Sequence, residues 1–176
     1  MSTQIVSFKQ QADEVKARIE SSEPSLQVFA EDVLRRSLVV AAASYFEHEL
    51  CDAIRYIFKE QKCSAECLAL IEAKAVNRQF YSYFDFESSN TNKLFSSFGK
   101  ECKDRASKAL KEEDGMAAAQ EAFLAICALR NNMVHRNFVA FPVELSTDEI
   151  YEKFLLGSKF IDFFKRIVLD VGASAV

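Results

Sequence analysis

Glycine and proline are scarce in this chain of 176 residues, which has four glycines and two prolines. A β-sandwich or β-barrel needs turn-forming residues at short, regular intervals, so this scarcity argues against both architectures and favours helices. No apolar run reaches the ~18 residues that a membrane-spanning helix needs. Tryptophan is absent, whereas sixteen phenylalanines are present, and we expect phenylalanine to fill the core.

Positive charge is also in short supply, because 22 lysines and arginines face 26 aspartates and glutamates, for a net charge of −4. A dedicated nucleic-acid binder is usually basic, so the overall charge gives no support to that class of function. An enzyme that turns RNA over needs less standing affinity and is compatible with a local patch. The basic segment 100–111 is such a patch, and it either follows an RNA backbone or forms a solvated helix face.

The five cysteines are odd in number and scattered along the chain. Residues 1–4 lead directly into an amphipathic stretch without a secretory leader pattern, so we expect a reduced, cytoplasmic protein. Cys63 and Cys67 are one helical turn apart, but the chain has only two histidines and offers no further ligands at zinc-site spacing. We therefore expect neither a metal nor an organic cofactor.

Apolar residues recur at spacings of three and four along most of the chain, which predicts an all-α fold in a single domain, residues 1–176. We expect a bundle with long central antiparallel helices. The predicted helices are residues 4–20, 26–62, 64–74, 116–137 and a last one that starts after a capping box of Ser146 and Glu149 and ends near Leu169. Residues 38–43 are apolar on all sides, which is typical of a helix in the middle of a bundle.

The stretch between residues 76 and 100 contains aromatic residues with strand propensity, but no partner strand is visible in the sequence. We interpret its first part as a structured loop and residues 90–99 as a capped short helix with Gly99 just past its end. The aromatic residues Tyr81, Tyr83 and Phe84 either stack on nucleic-acid bases or pack within the loop or a dimer contact.

The most informative motif is Arg130-Asn131-Asn132-Met133-Val134-His135, an Arg-x4-His pattern at the end of an otherwise apolar helix. Arg130 continues the apolar stripe of that helix, and His135 is about 140° further around it. Asn131 is one turn before His135 and shares its face. Arginine is suited to bidentate binding of phosphate, and histidine to proton transfer near neutral pH. The motif therefore predicts a small polar site for RNA cleavage.

Glu47 is the other charged residue that interrupts an apolar helix face, within the predicted helix 26–62. A charge on a core-facing stripe is costly without a partner, so we expect Glu47 to contact Arg130. Such a contact would be either a structural pair that joins two helices or a means of holding the guanidinium where a phosphate binds.

Metal-independent RNA cleavage needs a base for the 2′-hydroxyl, an acid for the leaving 5′-oxygen and a cation for the charge on the phosphate. One arginine and one histidine are few for all three tasks. Two copies of the chain around a two-fold axis would supply two of each, so we expect a homodimer.

The motif resembles the Arg-x4-6-His signature of the HEPN superfamily. The Glu47 helix, a Leu-Phe-x-x-Phe-Gly element at residues 94–99 and the capped last helix are similar to those of the single-domain RiboL-PSP-HEPN group. The resemblance implies a dimeric helical bundle with a composite site that cleaves RNA without metal and leaves a 2′,3′-cyclic phosphate. It further implies that Arg130 and His135 are catalytic, with Asn131 and Glu47 in supporting roles.

Many members of that superfamily are toxins or phage-defence effectors, so the resemblance also implies such a role and a possible antitoxin or other regulatory protein. Toxins that pair with a nucleotidyltransferase antitoxin often have a tyrosine two residues after the histidine. This chain has Asn137 there, so we do not expect that type of partner. The alternative function is a non-catalytic helical module that binds a nucleotide or another protein and keeps Arg130 and His135 for structure.

Overall fold

The computed structural model describes residues 3–21, 23–86 and 88–169, and within these ranges the chain forms seven α-helices and no strand. The prediction of an all-α fold is confirmed. The helices are α1 (Thr3–Ile19), α2 (Pro24–Glu60), α3 (Ala65–Ile71), α4 (Asn92–Ser96), α5 (Lys100–Glu112), α6 (Met116–His135) and α7 (Thr147–Leu169). No helix in the described part is long and apolar enough to cross a membrane.

The starts of the two longest helices, α2 and α7, follow from local chemistry. Helix α2 begins at Pro24, whose fixed φ suits the first helical position and whose missing N–H would be unpaired there in any case. Helix α7 begins after the predicted capping box, in which the Glu149 N–H donates to Ser146 Oγ at 3.2 Å and the Ser146 N–H donates to Glu149 Oε2 at 2.8 Å. These reciprocal bonds satisfy N–H groups that the first turn leaves without partners.

The core is built where α2, α6 and α7 pack together and is filled by phenylalanine, as expected. Helices α2 and α6 are antiparallel, because the Phe46 ring lies 4.9 Å from that of Phe123 while Arg36, earlier on α2, meets the chain after α6. Helix α7 crosses closely at Gly157, where an added Cβ would lie 2.9 Å from the backbone of Phe123. The phenylalanines with less than 2% exposure are Phe46, Phe80, Phe95, Phe123, Phe154, Phe160 and Phe164.

Helix α1 lies on the outside of this core and is tied to the start of α7. The Lys9 ammonium pairs with Asp13 on its own helix at 2.6 Å and with Asp148 at 2.7 Å. The Lys16 ammonium donates to Thr147 Oγ1 at 2.9 Å. These bonds connect the first helix to the start of the last one.

The segment between α3 and α4 is a structured loop, as predicted. Helix α3 is shorter than expected and continues as a π-helical turn at Glu72–Val76, held to α2 by a two-pronged bond from Arg55 to the Glu72 carboxylate. A 3₁₀ turn follows at Phe80–Tyr83. Phe84, next along the chain, is buried against Phe123. Aromatic packing of the loop on the core thus accounts for the apparent strand propensity.

Candidate functional site at the end of α6

Helix α6 ends at His135, two residues earlier than predicted. The Arg136 N–H makes the final helical bond, to the Asn132 carbonyl at 2.9 Å. Asn137 then adopts a left-handed conformation with φ of +77°, which asparagine tolerates better than most residues. Its carbonyl accepts the N–H groups of residues 140 and 141, so the chain turns sharply away. His135 is therefore the last helical residue and is exposed to solvent.

Arg130 is half-buried on the preceding turn, and its guanidinium lies over the ring of Tyr81, 4.5 Å from the ring centroid. Tyr81 comes from the 3₁₀ turn and is itself half-buried. Phe80 packs its ring edge-to-face with that of Tyr81 at 4.9 Å, and the ring of Phe86 is 6.2 Å away. Of the two readings offered for Tyr81, packing within the loop is the one that the structure shows.

Glu47 is half-buried on α2 but does not make the direct ion pair with Arg130 that we expected. Within the described residues, no side-chain nitrogen of Arg130 lies within 4.0 Å of its carboxylate. Burial raises the pKa values of Tyr81 and Cys127; the charge of Glu47 raises them further and that of Arg130 lowers them. Glu47 and Arg130 therefore both lie near Tyr81 and Cys127. The direct contact with Arg130 that we expected from Glu47 is made by Tyr81 instead.

Asn131 and His135 follow Arg130 on the last turns of α6, with Asn131 half-buried and His135 exposed. In the part of the chain that the structure describes, neither side chain is engaged in a hydrogen bond or ion pair. The structure brings Arg130, Asn131 and His135 to the same end of one helix, and both polar groups of the last turn are available to a ligand.

The segment after His135 is held from α2 by two neighbouring arginines that the sequence analysis missed. Arg36 is only 7% exposed, donates to the Phe138 carbonyl and binds both oxygens of Asp32 at 2.7 and 3.1 Å. Arg35 donates to the Val143 carbonyl at 3.1 Å. The four-residue spacing of Asp32 and Arg36 was visible in the sequence, but their distant backbone partner was not.

Exposed apolar side chains border the site, and we call this set the apolar rim. Val33 lies about one turn before Arg36 on α2, and Arg36 in turn stacks 5.8 Å from the Phe138 ring centroid. Val139 is 80% exposed. Scattered exposed apolar residues are ordinary, but a group of this kind beside a polar site is typical of an interaction surface. The apolar rim consists of Val33, Val134, Phe138 and Val139.

The chemistry available at this end of α6 is that of a fixed cation and a proton carrier. A guanidinium that is held over an aromatic ring rather than by a carboxylate keeps its N–H groups available to donate to phosphate oxygens. Cys127 is fully buried and burial raises its pKa, so it is not suited to act as a nucleophile. Among the described residues, no group of three or more potential ligands is arranged to hold a metal ion.

These features define an all-α protein with an arginine–histidine site at the end of a central helix. Comparison with known families agrees with this class: the profile of the RiboL-PSP-HEPN family matches residues 4–170. The chain belongs to this HEPN family. Comparison with curated proteins and with solved structures gives no significant match. Family membership is compatible with a function in RNA cleavage or nucleotide binding.

Proposed function

We propose that this protein is an endoribonuclease that cleaves RNA without a metal and leaves a 2′,3′-cyclic phosphate. The observation that carries the proposal is the pairing of a stacked, half-buried Arg130 with an exposed His135 at one helix end of a HEPN-family chain. A cation and an imidazole are the groups that this reaction uses, and both are free of competing ion pairs within the described residues.

In the proposed reaction the 2′-oxygen attacks phosphorus while the bond from phosphorus to the 5′-oxygen breaks. A base removes the proton of the 2′-hydroxyl, and an acid donates a proton to the departing 5′-oxygen. His135 acts in proton transfer, and Arg130 stabilises the negative charge that develops on the phosphate oxygens. Asn131 supports the site as a polar neighbour, and Glu47 contributes through its charge rather than through a direct bond to Arg130.

A single chain provides one histidine at this site, whereas the reaction needs a base and an acid. We therefore propose a homodimer in which a second copy contributes its own Arg130 and His135. The apolar rim supports this arrangement, because it borders the site and would be covered by the second copy.

Val139→Glu adds a charge to the most exposed member of the apolar rim, and we expect monomers by sedimentation together with loss of cleavage. A Val139→Glu protein that remains dimeric would argue against this interface.

We further propose a role as a toxin or phage-defence effector, since uncontrolled RNA cleavage arrests growth. Induced expression in bacteria is expected to stop growth with the original chain and not with His135→Ala. A regulatory protein would then be sought by its ability to restore growth.

The decisive experiment is cleavage of total RNA by the purified protein in excess EDTA, with the product ends identified. His135→Ala is expected to lower the rate by about 10²–10⁴-fold, the range for loss of a general acid or base. The matched control is His48→Ala, which removes the chain's other histidine. His48 is exposed, and its Nε2 lies 3.3 Å from Asp52 Oδ2. Cyclic phosphate ends that are lost in His135→Ala and kept in His48→Ala support the enzyme.

Two results would count against the proposal. Full activity in a folded His135→Ala protein would remove His135 from the mechanism. Absence of cleavage by a folded, dimeric wild type would favour the alternative, a non-catalytic module that binds a nucleotide or protein partner through this end of α6.

A further inference from the structure

The contact between Arg130 and Tyr81 is the closest of the four cation–aromatic contacts in the described part of the chain. The guanidinium carbon lies 4.5 Å from the ring centroid, against 5.4, 5.8 and 6.0 Å for the other three. Attraction between a cation and a ring face is significant within about 6 Å and strengthens when water is excluded. Arg130 and Tyr81 are both half-buried, so this contact is well placed to hold the guanidinium.

The Tyr81 ring is itself fixed in place. It belongs to the 3₁₀ turn Phe80–Tyr83, and its neighbour Phe80 is 1% exposed and anchored in the core against Phe123. The rings of Phe80 and Phe86 contact it from other directions. A ring held in this way gives Arg130 a rigid platform rather than a flexible partner.

The Tyr81 hydroxyl is buried without a hydrogen-bond partner in the described residues. A buried hydroxyl without a partner costs free energy, so the hydroxyl does not explain why an aromatic residue is needed here. The useful part of Tyr81 is its ring, and phenylalanine should replace it.

Stacking also differs from an ion pair in what it leaves free. A carboxylate that held Arg130 would accept hydrogen bonds from the same N–H groups that a phosphate needs, whereas a contact between a cation and a ring requires no acceptor oxygen. Because Glu47 stays beyond ion-pair distance, its carboxylate does not compete with a substrate phosphate for these donors.

We propose that Tyr81 is a positioning residue for Arg130, whose ring orients the guanidinium for the phosphate without consuming its hydrogen-bond donors. This inference rests on the proposed ribonuclease function for its effect on rate. The contact between Tyr81 and Arg130 can be measured whether or not the protein cleaves RNA.

The kinetic test compares Tyr81→Phe with Tyr81→Leu. We expect Tyr81→Phe to keep kcat within about twofold and Tyr81→Leu to lower it about tenfold, as expected for losing a contact of this kind. KM should change less than kcat, because Arg130 acts mainly on charge that develops in the transition state. Tyr81→Met serves as a second variant if leucine disturbs the fold, since methionine fills irregular space.

The matched control is Tyr83→Leu, which alters the same 3₁₀ turn but removes a tyrosine whose hydroxyl donates to the Ala75 carbonyl and whose ring does not contact Arg130. It is expected to lower stability without the selective loss of kcat. Equal loss of kcat in the Tyr83 and Tyr81 leucine variants would overturn the positioning role, because it would reduce the effect to the integrity of the turn.

The second readout is the NMR signal of the Arg130 Nε–H group, assigned from its disappearance in Arg130→Lys. The ring current of Tyr81 should shift this signal in the wild type and in Tyr81→Phe, and the shift should vanish in Tyr81→Leu. An unchanged signal in folded Tyr81→Leu overturns the inference. If the wild type does not cleave RNA, the proposed function fails, while this signal still decides whether Tyr81 orients Arg130.

Discussion

The middle and the C-terminal end of α6 belong to one continuous helix but lie in different environments. In its middle, from Ala119 to Cys127, six of nine residues are buried, and Phe123 lies among phenylalanines from α2 and α7. In its last two turns, from residue 128 to His135, only Met133 is buried. The middle is covered by α7, whereas the end is bordered by a 3₁₀ turn and an irregular segment.

This difference separates stability from chemistry along a single element. The buried face of the middle is entirely apolar, because interiors are close-packed and unpaired polar groups are costly there. At the end, incomplete cover keeps Arg130 half-buried and His135 exposed. The candidate site arises where the helix extends beyond its apolar cover, so substitutions in the two regions should have different effects.

Phe123→Ala should have the largest effect on stability. The side chain is fully buried, with ring contacts at 4.9 Å to both Phe46 and Phe160. We expect a loss of about 3–5 kcal/mol in the free energy of unfolding, measured by urea denaturation, because a cavity is left in the core. Arg136→Ala, at the exposed position that follows the same helix, is the control and should change it by less than about 0.5 kcal/mol. Similar losses for both variants would contradict the difference between the middle and the end of α6.

Gly157→Ala should lower the free energy of unfolding somewhat less, by roughly 2–3 kcal/mol, because the added methyl group must push α7 and α6 apart. The new Cβ would lie 2.9 Å from the backbone of Phe123 and from the Phe46 ring, and backbone cannot give way as a flexible side chain can. Thermal unfolding is the measurement. Lys159→Ala, on an exposed face of the same helix, is the control, and a Gly157→Ala protein as stable as this control would show that the crossing is looser than described.

Arg36→Met removes the side chain that holds the segment after His135 and should lower the free energy of unfolding by about 1–2 kcal/mol, since the Phe138 carbonyl and the Asp32 carboxylate lose their partner. The effect should be local, with faster amide hydrogen exchange in residues 138–141 than in the middle of α6. Arg35→Met is the control and should have a smaller effect, because its side chain is 22% exposed against 9% for Arg36. Amide exchange that becomes faster to the same extent throughout α6 would contradict the difference between its middle and its end.

Asp148→Asn should have the smallest effect, at most a few tenths of a kcal/mol, since the Asp148 side chain is 67% exposed. The hydrogen bond from Lys9 lowers the pKa of Asp148 in the folded protein. Its contribution is therefore complete above the unfolded pKa of about 3.9 and disappears as the pH falls through the lower folded value. The free energies of unfolding of wild type and Asp148→Asn, measured against pH, should become equal in acid. Glu152→Gln, at an exposed position on the same helix, is the control and should not show this convergence. A difference that is constant with pH would contradict the ion pair.

Local features of the fold were predictable because they depend on residues close together in the chain. The Ser146–Glu149 capping box, the buried middle of α2 and the loop before α4 are all confirmed. The predicted short helix is present as α4, but it ends at Ser96 rather than next to Gly99, which with φ of +99° is the residue before α5. Each of these depends on side-chain spacing or on a backbone preference that a few neighbouring residues express. That residues 1–176 form a single domain stays a prediction.

The composition of the site was predictable, but its contacts were not. The Arg-x4-His motif located Arg130, Asn131 and His135 at a helix end, and the structure agrees with that position. The expected ion pair between Glu47 and Arg130 was wrong, because periodicity shows which face a residue occupies but not which ring from a distant loop reaches it. The Tyr81 contact joins residues 49 positions apart, and that of Arg36 with Phe138 joins residues 102 apart.

Local sequence patterns are sufficient to show that the protein is helical, that phenylalanine fills its core and that an arginine and a histidine lie at the end of one helix. These properties follow from local propensity, apolar periodicity and residue chemistry, all of which depend on neighbouring residues. The packing of distant elements brings Tyr81 rather than Glu47 into contact with Arg130, lets Arg36 hold the segment after His135 and places an apolar rim beside the candidate site. Those contacts depend on how separate elements pack, and packing is determined by the whole chain.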